Sequence, residues 1–411
     1  MQTPPKPLDY AAFAAELDAL RADLDRRIGI EAHSHLRRQA LYGRLCTALG
    51  YATAWLGPNP LSAGLIALGM SARWTIVAHH TSHRALDRLV GVPRVETSKG
   101  FAQGWRRWLH WPDWLEPAAW DYEHNKLHHY HTGEAADPDL VEEQFEQMRT
   151  SRAPLWLKYV VIALLTVSWK FVYYAPNIFT LHRRELARKA ALVEFDPTAT
   201  QADVNLVRAW SPFGAEGRAF WGRTVLPYVG LRFGLLPALF LPLGTEAALF
   251  VLLNSFFAEL LTGAHTFLIV VPNHAGSDVH RFDSPPTDRA EFYVRQVLGS
   301  TNFRTGGELN DFLHGFLNYQ VEHHLWPDAS PLLYQQAAPH VREICARHGV
   351  PYLQDSVFRR FAMMCQIAVG TRSMTRSTTL TKAERRQSAM NWPVASPGTM
   401  EATHAMSAGA G

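Results

Sequence analysis

The chain has 411 residues, 47% of them hydrophobic and 19% charged, and its formal net charge is +3. This composition excludes wholesale disorder, and the balance of 40 basic against 37 acidic residues gives no reason to expect a nucleic-acid partner. Three scattered cysteines are too few for a disulfide framework or a cysteine-based zinc module. The chain is unusually rich in histidine (20 residues) and tryptophan (13 residues), and the histidines give the most information about its function.

Composition divides the chain into four parts. Residues 1–40 are charged and predict an amphipathic N-terminal helical segment. Residues 41–350 hold the long apolar stretches and the histidine clusters, and residues 351–370 predict a C-terminal helix. The tail, residues 371–411, is rich in serine, threonine, alanine and methionine without periodicity, so it is expected to be disordered.

The first apolar unit predicts a helical hairpin through a membrane. Residues 45–72 carry no formal charge, and Gly57-Pro58-Asn59-Pro60 would end a helix on either side. Residues 60–79 make about 30 Å of helix, which is the thickness of a bilayer core, and residues 41–56 would form the shorter partner. Basic residues flank both outer ends, which places those ends on the cytoplasmic side. The alternative is a soluble pair of buried helices.

Residues 226–241 and 246–271 predict a second hairpin, with Pro242-Leu243-Gly244 as its turn. Arg232, Glu246 and Glu259 lie inside these stretches, and because charge is costly in lipid they are expected to face the protein interior or to lie at the ends of the spans. The two hairpins together predict an all-α membrane protein with about four transmembrane helices, interfacial helices and a cytoplasmic helical cap that carries the histidines.

A third apolar stretch, residues 154–176, contains Lys158 and Lys170. If this stretch crossed the membrane, the histidine clusters on either side of it would lie on opposite faces and could not meet. It is therefore expected to lie in the membrane interface or to dip in and return, which suits its aromatic residues. The tryptophan-rich loop 105–120 is likewise expected to form an interfacial belt.

Three clusters hold nine of the 20 histidines. They are His79-His80-Thr81-Ser82-His83, His124-Asn125-Lys126-Leu127-His128-His129-Tyr130-His131 and Gln320-Val321-Glu322-His323-His324. Histidines four apart project from one face of a helix, so such a pair can bind one metal ion or one each of a close pair. The first cluster alone would more often be surface histidines, whereas four histidines within eight residues favour a metal site.

Adjacent histidines in the second and third clusters indicate two metal ions. On a helix His129 points about 100° away from His128, so one short segment can supply ligands to two different ions. His131 falls near the face of His124 and is either a ligand or a hydrogen-bond donor to one. His274, just past the last apolar stretch, is either a further ligand or an interfacial histidine bonded to the backbone.

Imidazole-rich sites suit iron, copper, zinc or nickel, and seven or eight imidazoles are too many for one ion. A carboxylate-bridged di-iron bundle would need two Glu-x-x-His pairs, and the sequence has one, Glu401 to His404 in the tail. Acids near the clusters are candidates for holding the rings by hydrogen bonds. These acids are Asp87, Asp121, Glu123, Asp137, Asp139 and Glu322.

The motifs resemble those of the membrane fatty acid desaturases, most closely the acyl-lipid and front-end-like branch. The resemblance rests on His79-x-x-x-His83, His124-x-x-x-His128-His129 and Gln320-x-x-His323-His324 in this order, and it covers roughly residues 40–350. The most specific stretch is residues 317–327, and glutamine as the first residue of the third motif is typical of the front-end branch.

The resemblance implies a helical membrane protein with its active site on the cytoplasmic face. It also implies two iron ions that activate O2 and remove two hydrogens from an unactivated acyl chain. The ligands that it assigns are His79, His83, His124, His128, His129, His274, His323 and His324. His80, His131 and Gln320 are additional candidates, and whether Gln320 would act directly or through water is left open.

The resemblance further implies an acyl lipid or acyl thioester as substrate and a separate electron donor, a ferredoxin or cytochrome b5. The sequence has neither the His-Pro-Gly-Gly motif of a fused cytochrome b5 nor a nucleotide-binding Gly-x-Gly-x-x-Gly fingerprint. Basic residues at 182–189 and Arg106-Arg107 could dock an acidic carrier, or they could simply reflect the positive-inside rule.

Three other functions are compatible with parts of the pattern. A hydroxylase or ketolase acting on acyl chains or lipids would use the same metal pair. A histidine-rich metal transporter would place its histidines or carboxylates within the spans, whereas the clusters lie at the ends of the spans. A membrane zinc hydrolase would be expected to carry His-Glu-x-x-His, which the sequence lacks.

Overall fold

The structure is a computed structural model that describes residues 8–191 and 206–377. The described residues are mostly helical, with one small parallel sheet of two strands, β1 (His280–Phe282) and β2 (Thr375–Ser377). The longer helices are α1 (Tyr10–Ile28), α2 (Glu31–Ala54), α3 (Pro60–Ser82), α4 (Leu155–Ala190), α5 (Ala215–Leu243), α6 (Thr245–His274), α7 (Arg289–Leu298), α8 (Gln320–Leu325), α9 (Pro331–His348) and α10 (Val357–Ala368).

Short helical segments connect these helices. They are Arg94–Glu96, Gly104–Arg106, Arg107–His110, Pro117–Trp120, Asp121–His128, His129–His131, Val141–Gln144, Glu146–Thr150, Leu206–Trp210, Glu308–Leu313 and Leu317–Tyr319. Two of the π-helical segments stand at the histidine motifs, Arg73–Ala78 within α3 and Asp121–His128 after Pro117–Trp120. π-Helical turns are rare and occur frequently at functional sites.

Four of the described helices, α3 to α6, are long and apolar enough to cross a membrane, which fits an integral membrane protein. This confirms the predicted all-α class with about four spans, although the set differs in one member. The predicted span 41–56 belongs to α2, which is not among the four because its first half is charged. Instead of α2, helix α4 is the fourth helix that is long and apolar enough to cross a membrane.

The predicted hairpin of α2 and α3 is present because glycines let the two backbones approach closely. A Cβ added to Gly43 would lie 2.8 Å from the Cβ of Ala72, and one added to Gly69 would overlap Thr47. Helix α6 packs along α3 and also holds the turn of the hairpin, since Asn254 Nδ2 donates to the carbonyl oxygens of Ala54 and Gly57 (both 2.9 Å). Small residues at helix contacts are characteristic of membrane helix packing.

Helix α4 runs without a break through the stretch expected to lie in the interface or to dip and return. The dip-and-return alternative is therefore wrong, because one continuous helix cannot reverse its direction. Near its start, Lys158 Nζ donates to the carbonyl oxygens of Arg149 (3.2 Å) and Val369 (3.4 Å). Further along, Tyr174 Oη donates to Glu123 (2.9 Å), beside the second histidine motif. The helix also packs along α6, another candidate span, so the interfacial position remains a prediction.

Arg232 and Glu259 face the protein interior, whereas Glu246 is exposed in the first turn of α6, at the end of that span. Glu259 is buried and accepts hydrogen bonds from Trp114 Nε1 (2.7 Å) and Tyr228 Oη (2.6 Å). Arg232 lies 4.0 Å from Glu259, and Lys170 pairs with Asp113 at 2.6 Å. Because every one of these buried polar groups has a partner, their burial is offset.

The interfacial belt expected of loop 105–120 is wrong for three of its tryptophans. Trp111, Trp114 and Trp120 are buried in the protein core, whereas Trp105 is 71% exposed. Their polar Nε1 groups and large rings suit a core that packs around the histidines as well as they suit a membrane surface, so composition alone could not decide between the two.

The N-terminal and C-terminal parts pack onto the rest of the structure. Helix α1 buries Phe13 and Leu17 against α9 and α7, and α2 continues across residue 41, where a part boundary had been expected. Helix α10 falls within the expected range 351–370. No structure was expected from residue 371 onward, but β2 pairs there with β1; the tail from residue 378 lies outside the described residues.

Candidate metal centre

Four separate parts of the chain bring eight histidines into one buried region. Helix α3 ends at the first motif, the helical segments 117–131 carry the second, α6 ends at His274, and α8 carries the third. Each of the eight side chains is at most 7% exposed. All eight residues that the resemblance assigned as ligands therefore lie together: His79, His83, His124, His128, His129, His274, His323 and His324.

The first cluster consists of His79, His83, His124 and His323, with one ring nitrogen from each within 4.8 Å of the others. The Nε2 atoms of His79 and His323 are 3.1 Å apart. Two nitrogens bound to one ion at about 2.0–2.1 Å each lie about 3 Å apart, so this separation suits neighbouring ligands of a single ion.

The second cluster consists of His128, His274 and His324, whose ring nitrogens also lie within 4.8 Å of one another. His129 stands between the clusters, and a ring nitrogen of it groups with those of His323 and His324. Its ring centroid lies 4.6 Å from that of His83 and 4.4 Å from that of His324. The eight imidazoles thus form overlapping groups, two of which share no residue, and the binding of two ions by them remains a prediction.

In four of the eight histidines, one ring nitrogen is held by a hydrogen bond to a residue outside the clusters. His128 Nδ1 lies 2.8 Å from Asp137 Oδ1, and His274 Nδ1 donates to the carbonyl oxygen of Gly299 (2.9 Å). A hydrogen bond on one nitrogen fixes the tautomer and directs the other nitrogen toward a metal.

The two histidines of the third motif are held in the same way. His323 Nδ1 donates to Tyr334 Oη (3.2 Å), and His324 Nδ1 donates to Gln296 Oε1 (2.9 Å). Thr132 Oγ1 lies 3.2 Å from the same nitrogen of His324. Sequence reasoning included Asp137 among the candidate acids but missed Tyr334, Gln296 and Thr132, because no spacing relates them to the motifs.

Burial keeps most of these rings in the neutral form that binds metal. Burial first, and then the neighbouring histidines, lowers the pKa of His124, His129 and His324 well below its ordinary value. Burial also acts to lower the pKa of His128, but the Asp137 carboxylate outweighs it and raises that pKa. The site therefore combines neutral imidazoles with one ring made more basic by a carboxylate.

Unpaired nitrogens show that the site fits metal ions. Among the described residues, the Nε2 atoms of His83, His124 and His324 and both ring nitrogens of His129 are buried without a hydrogen-bond partner. An unsatisfied buried polar atom costs about 1–3 kcal/mol, so five of them in one place are unfavourable unless a ligand binds them. Imidazole nitrogens without nearby solvent are suitable donors for iron, copper, zinc or nickel.

Three additional candidates lie at the edge of the site or outside it. His80 donates its Nδ1–H to the carbonyl of Ile76 (2.8 Å), and His131 Nδ1 lies 3.1 Å from Glu134 Oε2. Within the described part of the chain, neither residue joins a potential ligand group. Gln320 Nε2 lies 2.8 Å from His274 Nε2, so its amide contacts a proposed ligand.

A cavity of about 370 Å³, here called the histidine cavity, opens beside the clusters. His79, His124, His128, His274 and Gln320 form part of its wall. Most of the remaining lining is apolar and aromatic, including Trp74, Trp120, Val141, Phe145, Met148, Leu165, Trp169, Val172, Phe267, Val270, Val271 and Leu317. A mostly apolar cavity with polar groups on one side suits a hydrophobic ligand that presents one part of itself to those groups.

Comparisons with known proteins agree with this geometry. The fatty acid desaturase family matches residues 53–356, a range that contains all eight clustered histidines. The chain is 23% identical over 367 residues to an NADPH-dependent stearoyl-CoA 9-desaturase of Mycobacterium tuberculosis, covering 85% of this chain and 76% of that protein.

Further relatives extend the comparison. An acyl-lipid (7-3)-desaturase of Diacronema lutheri is 28% identical over 330 residues, which are 79% of this chain and 62% of that protein. A Delta(5) fatty acid desaturase A of Dictyostelium discoideum is 26% identical over 249 residues, covering 57% of this chain and 48% of that protein. The resemblance inferred from the histidine motifs is thereby confirmed: the chain belongs to the fatty acid desaturase family.

Proposed function

We propose that this chain is an O2-dependent fatty acyl desaturase in which the eight clustered histidines hold two iron ions. The observation that carries the proposal is the arrangement of these histidines around two positions on the wall of an apolar cavity. Family membership supports the same conclusion, since the matching relatives are named as desaturases of acyl-CoA and acyl-lipid type.

The proposed ligands divide between two ions. His79, His83, His124 and His323 would hold one, and His128, His274 and His324 the other. His129 would bind at the position between them. When bound, the iron pair would supply the activation of O2 and the removal of two hydrogens from the acyl chain. Asp137, Tyr334 and Gln296 would keep the ligand rings oriented, as their hydrogen bonds to His128, His323 and His324 indicate.

The remaining residues of the histidine cavity would position the substrate. The apolar lining removes an acyl chain from water, and tight aromatic walls from Trp74, Trp120 and Trp169 restrict where its methylene groups can lie. Holding one pair of methylene groups beside the histidines replaces a random encounter with a fixed geometry, which is the main contribution that a protein makes to such a reaction.

We further propose that the active site faces the cytoplasm and that a separate protein, a ferredoxin or cytochrome b5, supplies electrons. Basic residues that flank the α2–α3 hairpin support the orientation. The sequence carries no glycine-rich nucleotide fingerprint, which supports a separate donor even though one relative is named NADPH-dependent.

The test is expression in a host of known lipid profile, with mass spectrometry to locate double bonds in the products. The wild-type chain is expected to introduce a double bond, and His324→Ala is expected to abolish it while membrane expression persists. His131→Ala is the matched control, because His131 lies in the second motif but outside the clusters. New hydroxyl groups in place of double bonds would indicate an acyl hydroxylase, and activity retained in His324→Ala would contradict the ligand assignment.

A further inference from the structure

A second cavity, of about 270 Å³, lies on the other face of α3 from the histidine cavity. In the π-helical segment of α3, Trp74 and Thr75 line the histidine cavity, whereas Arg73 and Val77 line the second one. Helix α2 and loop residues between 95 and 110 complete its walls. The two linings share no residue, so a ligand in the second cavity would not occupy the position proposed for the acyl chain.

Two exposed arginines give this second cavity, here called the arginine cavity, its charge. Arg37 and Arg44 are seven residues apart on α2 and so lie on the same helix face. Among the described residues neither has an ion-pair partner within 4.0 Å, whereas the neighbouring Arg38 pairs with Glu308. Arg73 of α3 also lines the cavity. Two unpaired cations beside one cavity favour the binding of an anion.

The acidic group of the lining is already engaged. Glu96 Oε2 lies 2.6 Å from His33 Nε2, and among the described residues no arginine lies within 4.0 Å of this carboxylate. On the opposite side of the cavity, His110 Nδ1 accepts a hydrogen bond from the backbone N–H of Ala102 (3.0 Å). In the neutral ring this bond leaves the proton on Nε2, where it is available for donation to a ligand.

Burial and nearby positive charge favour the neutral form of His110. Burial, followed by the guanidinium groups of Arg106 and Arg44, lowers the pKa of His110 below its ordinary value. His110 lines the same cavity as Arg37 and Arg44, and a donor N–H beside guanidinium groups matches the needs of a phosphate group.

The surroundings of the arginine cavity favour a ligand that is part of the membrane. The outward face of α2 next to it is apolar, with Leu41 and Leu45 each 49% exposed and Leu49 56% exposed. Leu109, which lines the cavity, is 64% exposed. Exposed leucines along a helix that packs on a predicted span are suited to contact lipid tails, whereas a soluble phosphate compound would gain nothing from them.

We propose that the arginine cavity binds the phosphate headgroup of an anionic glycerophospholipid from the cytoplasmic leaflet, at a site separate from the substrate. Basic pockets between membrane helices on the cytoplasmic side are suited to such headgroups. The glycerol and tails of the lipid would follow the leucine face of α2. Because the site shares no residue with the histidine cavity, the proposal concerns binding and is independent of the chemistry proposed above.

The test is native mass spectrometry of the full-length protein in detergent micelles during titration with phosphatidylglycerol, with phosphatidylcholine and inorganic phosphate as parallel probes. Phosphatidylglycerol is expected to bind in preference to phosphatidylcholine. The variant Arg37→Gln/Arg44→Gln is expected to weaken this binding by at least about 10-fold, since each basic residue near a membrane surface contributes about fivefold. The variant Arg37→Lys/Arg44→Lys is expected to restore most of it.

The matched control is Arg26→Gln/Arg38→Gln, which removes the same charge from arginines that pair with Asp23 and Glu308 outside the cavity. It is expected to change phosphatidylglycerol binding by less than about twofold, because neither side chain lines the cavity. Equal weakening by both double variants, or equal binding of the two lipids, would overturn the site. Displacement of the lipid by millimolar inorganic phosphate would instead identify a soluble phosphate ligand and overturn the lipid assignment.

The variant His324→Ala separates this proposal from the desaturase proposal. It is expected to lose iron and product formation and yet to bind phosphatidylglycerol as the wild type does. Loss of lipid binding in this variant would contradict the separation of the two cavities.

Discussion

At His128 one ring nitrogen belongs to the second cluster and the other is held by Asp137 at 2.8 Å. The same carboxylate accepts hydrogen bonds from the backbone N–H groups of Gly133 (2.9 Å) and Asp139 (2.8 Å). Asp137 therefore couples the shape of this loop to the orientation of a proposed ligand. Through such a hydrogen bond, a residue that does not bind the metal can still control the affinity of the site for the metal.

Asp137→Asn is expected to weaken metal retention by about 10- to 100-fold, since the amide holds His128 less firmly and no longer makes its ring more basic. The measurement is the iron that the purified protein keeps during titration with a competing chelator. Glu134→Gln is the control, because Glu134 pairs with His131 outside the clusters. Equal iron retention in Asp137→Asn and the wild type would show that this hydrogen bond does not support the site.

Individual residues differ in how far sequence could predict their role. The histidines could be predicted because metal binding demands repeated residue types at fixed spacing, and all eight proposed ligands converge. His131 has the residue type and the spacing expected of a metal ligand, but its ring contacts Glu134 instead of the clusters. The helical segment that carries the motif ends at His131. Tyr334 and Gln296 could not be predicted, because they lie on other helices, 11 and 28 residues from the histidines that they hold, and are ordinary residue types there.

At the scale of elements, the contact of α4 with α6 depends on Gly263. A Cβ added to Gly263 would overlap the carbonyl group of Val167, and Trp169 Nε1 donates to the carbonyl oxygen of Gly263 (3.0 Å). The contact also places Trp169 in the wall of the histidine cavity. Hydropathy could predict that both segments are helical, but not that they meet at this glycine.

Gly263→Ala is expected to destabilise the protein by about 1–3 kcal/mol, because overpacking forces the two backbones apart. The measurement is thermal unfolding in detergent. Gly64→Ala in α3 is the matched control: a Cβ at Gly64 meets nothing within 4 Å, so alanine is expected to be neutral or to stabilise the helix by up to about 1 kcal/mol. Unchanged unfolding of Gly263→Ala would contradict the described packing of α4 on α6.

The π-helical segments explain a further difference between expectation and structure. An α-helical segment would turn His129 about 100° away from His128 and off the face of His124. In the π-helical segment Asp121–His128 a turn contains more residues, so the rings of both His128 and His129 lie near His124, at centroid distances of 5.3 and 4.8 Å. Periodicity arguments assume an α-helix and therefore could not predict this arrangement.

At the scale of the whole molecule, the histidine cavity is built from helices, loops and motifs distributed between Trp74 and Gln320. Sequence could predict an apolar space near the clusters but none of its lining residues, because neighbours in the wall come from distant parts of the chain. Length and composition also could not decide the position of α4, which is long enough to cross a membrane and yet contacts Arg149 and Glu123, outside the four apolar helices.

The size of the histidine cavity is expected to limit which acyl chains react. Leu165→Trp adds an aromatic ring inside the cavity and is expected to shift the products toward shorter chains or to lower the yield from long ones. Leu164→Trp is the control, since Leu164 is 62% exposed and does not line the cavity. Lipid mass spectrometry measures the distribution. The same product profile for both variants and the wild type would show that substrate lies elsewhere.

The central claim is that distant histidines jointly hold two iron ions, and the metal content of purified protein tests it most directly. Elemental analysis by plasma mass spectrometry is expected to find about two iron ions per chain in the wild type, the number that suits eight imidazoles. The variant His131→Ala is expected to keep both ions, and His324→Ala is expected to lose iron. Zinc as the bound metal, or full iron content in His324→Ala, would contradict the claim.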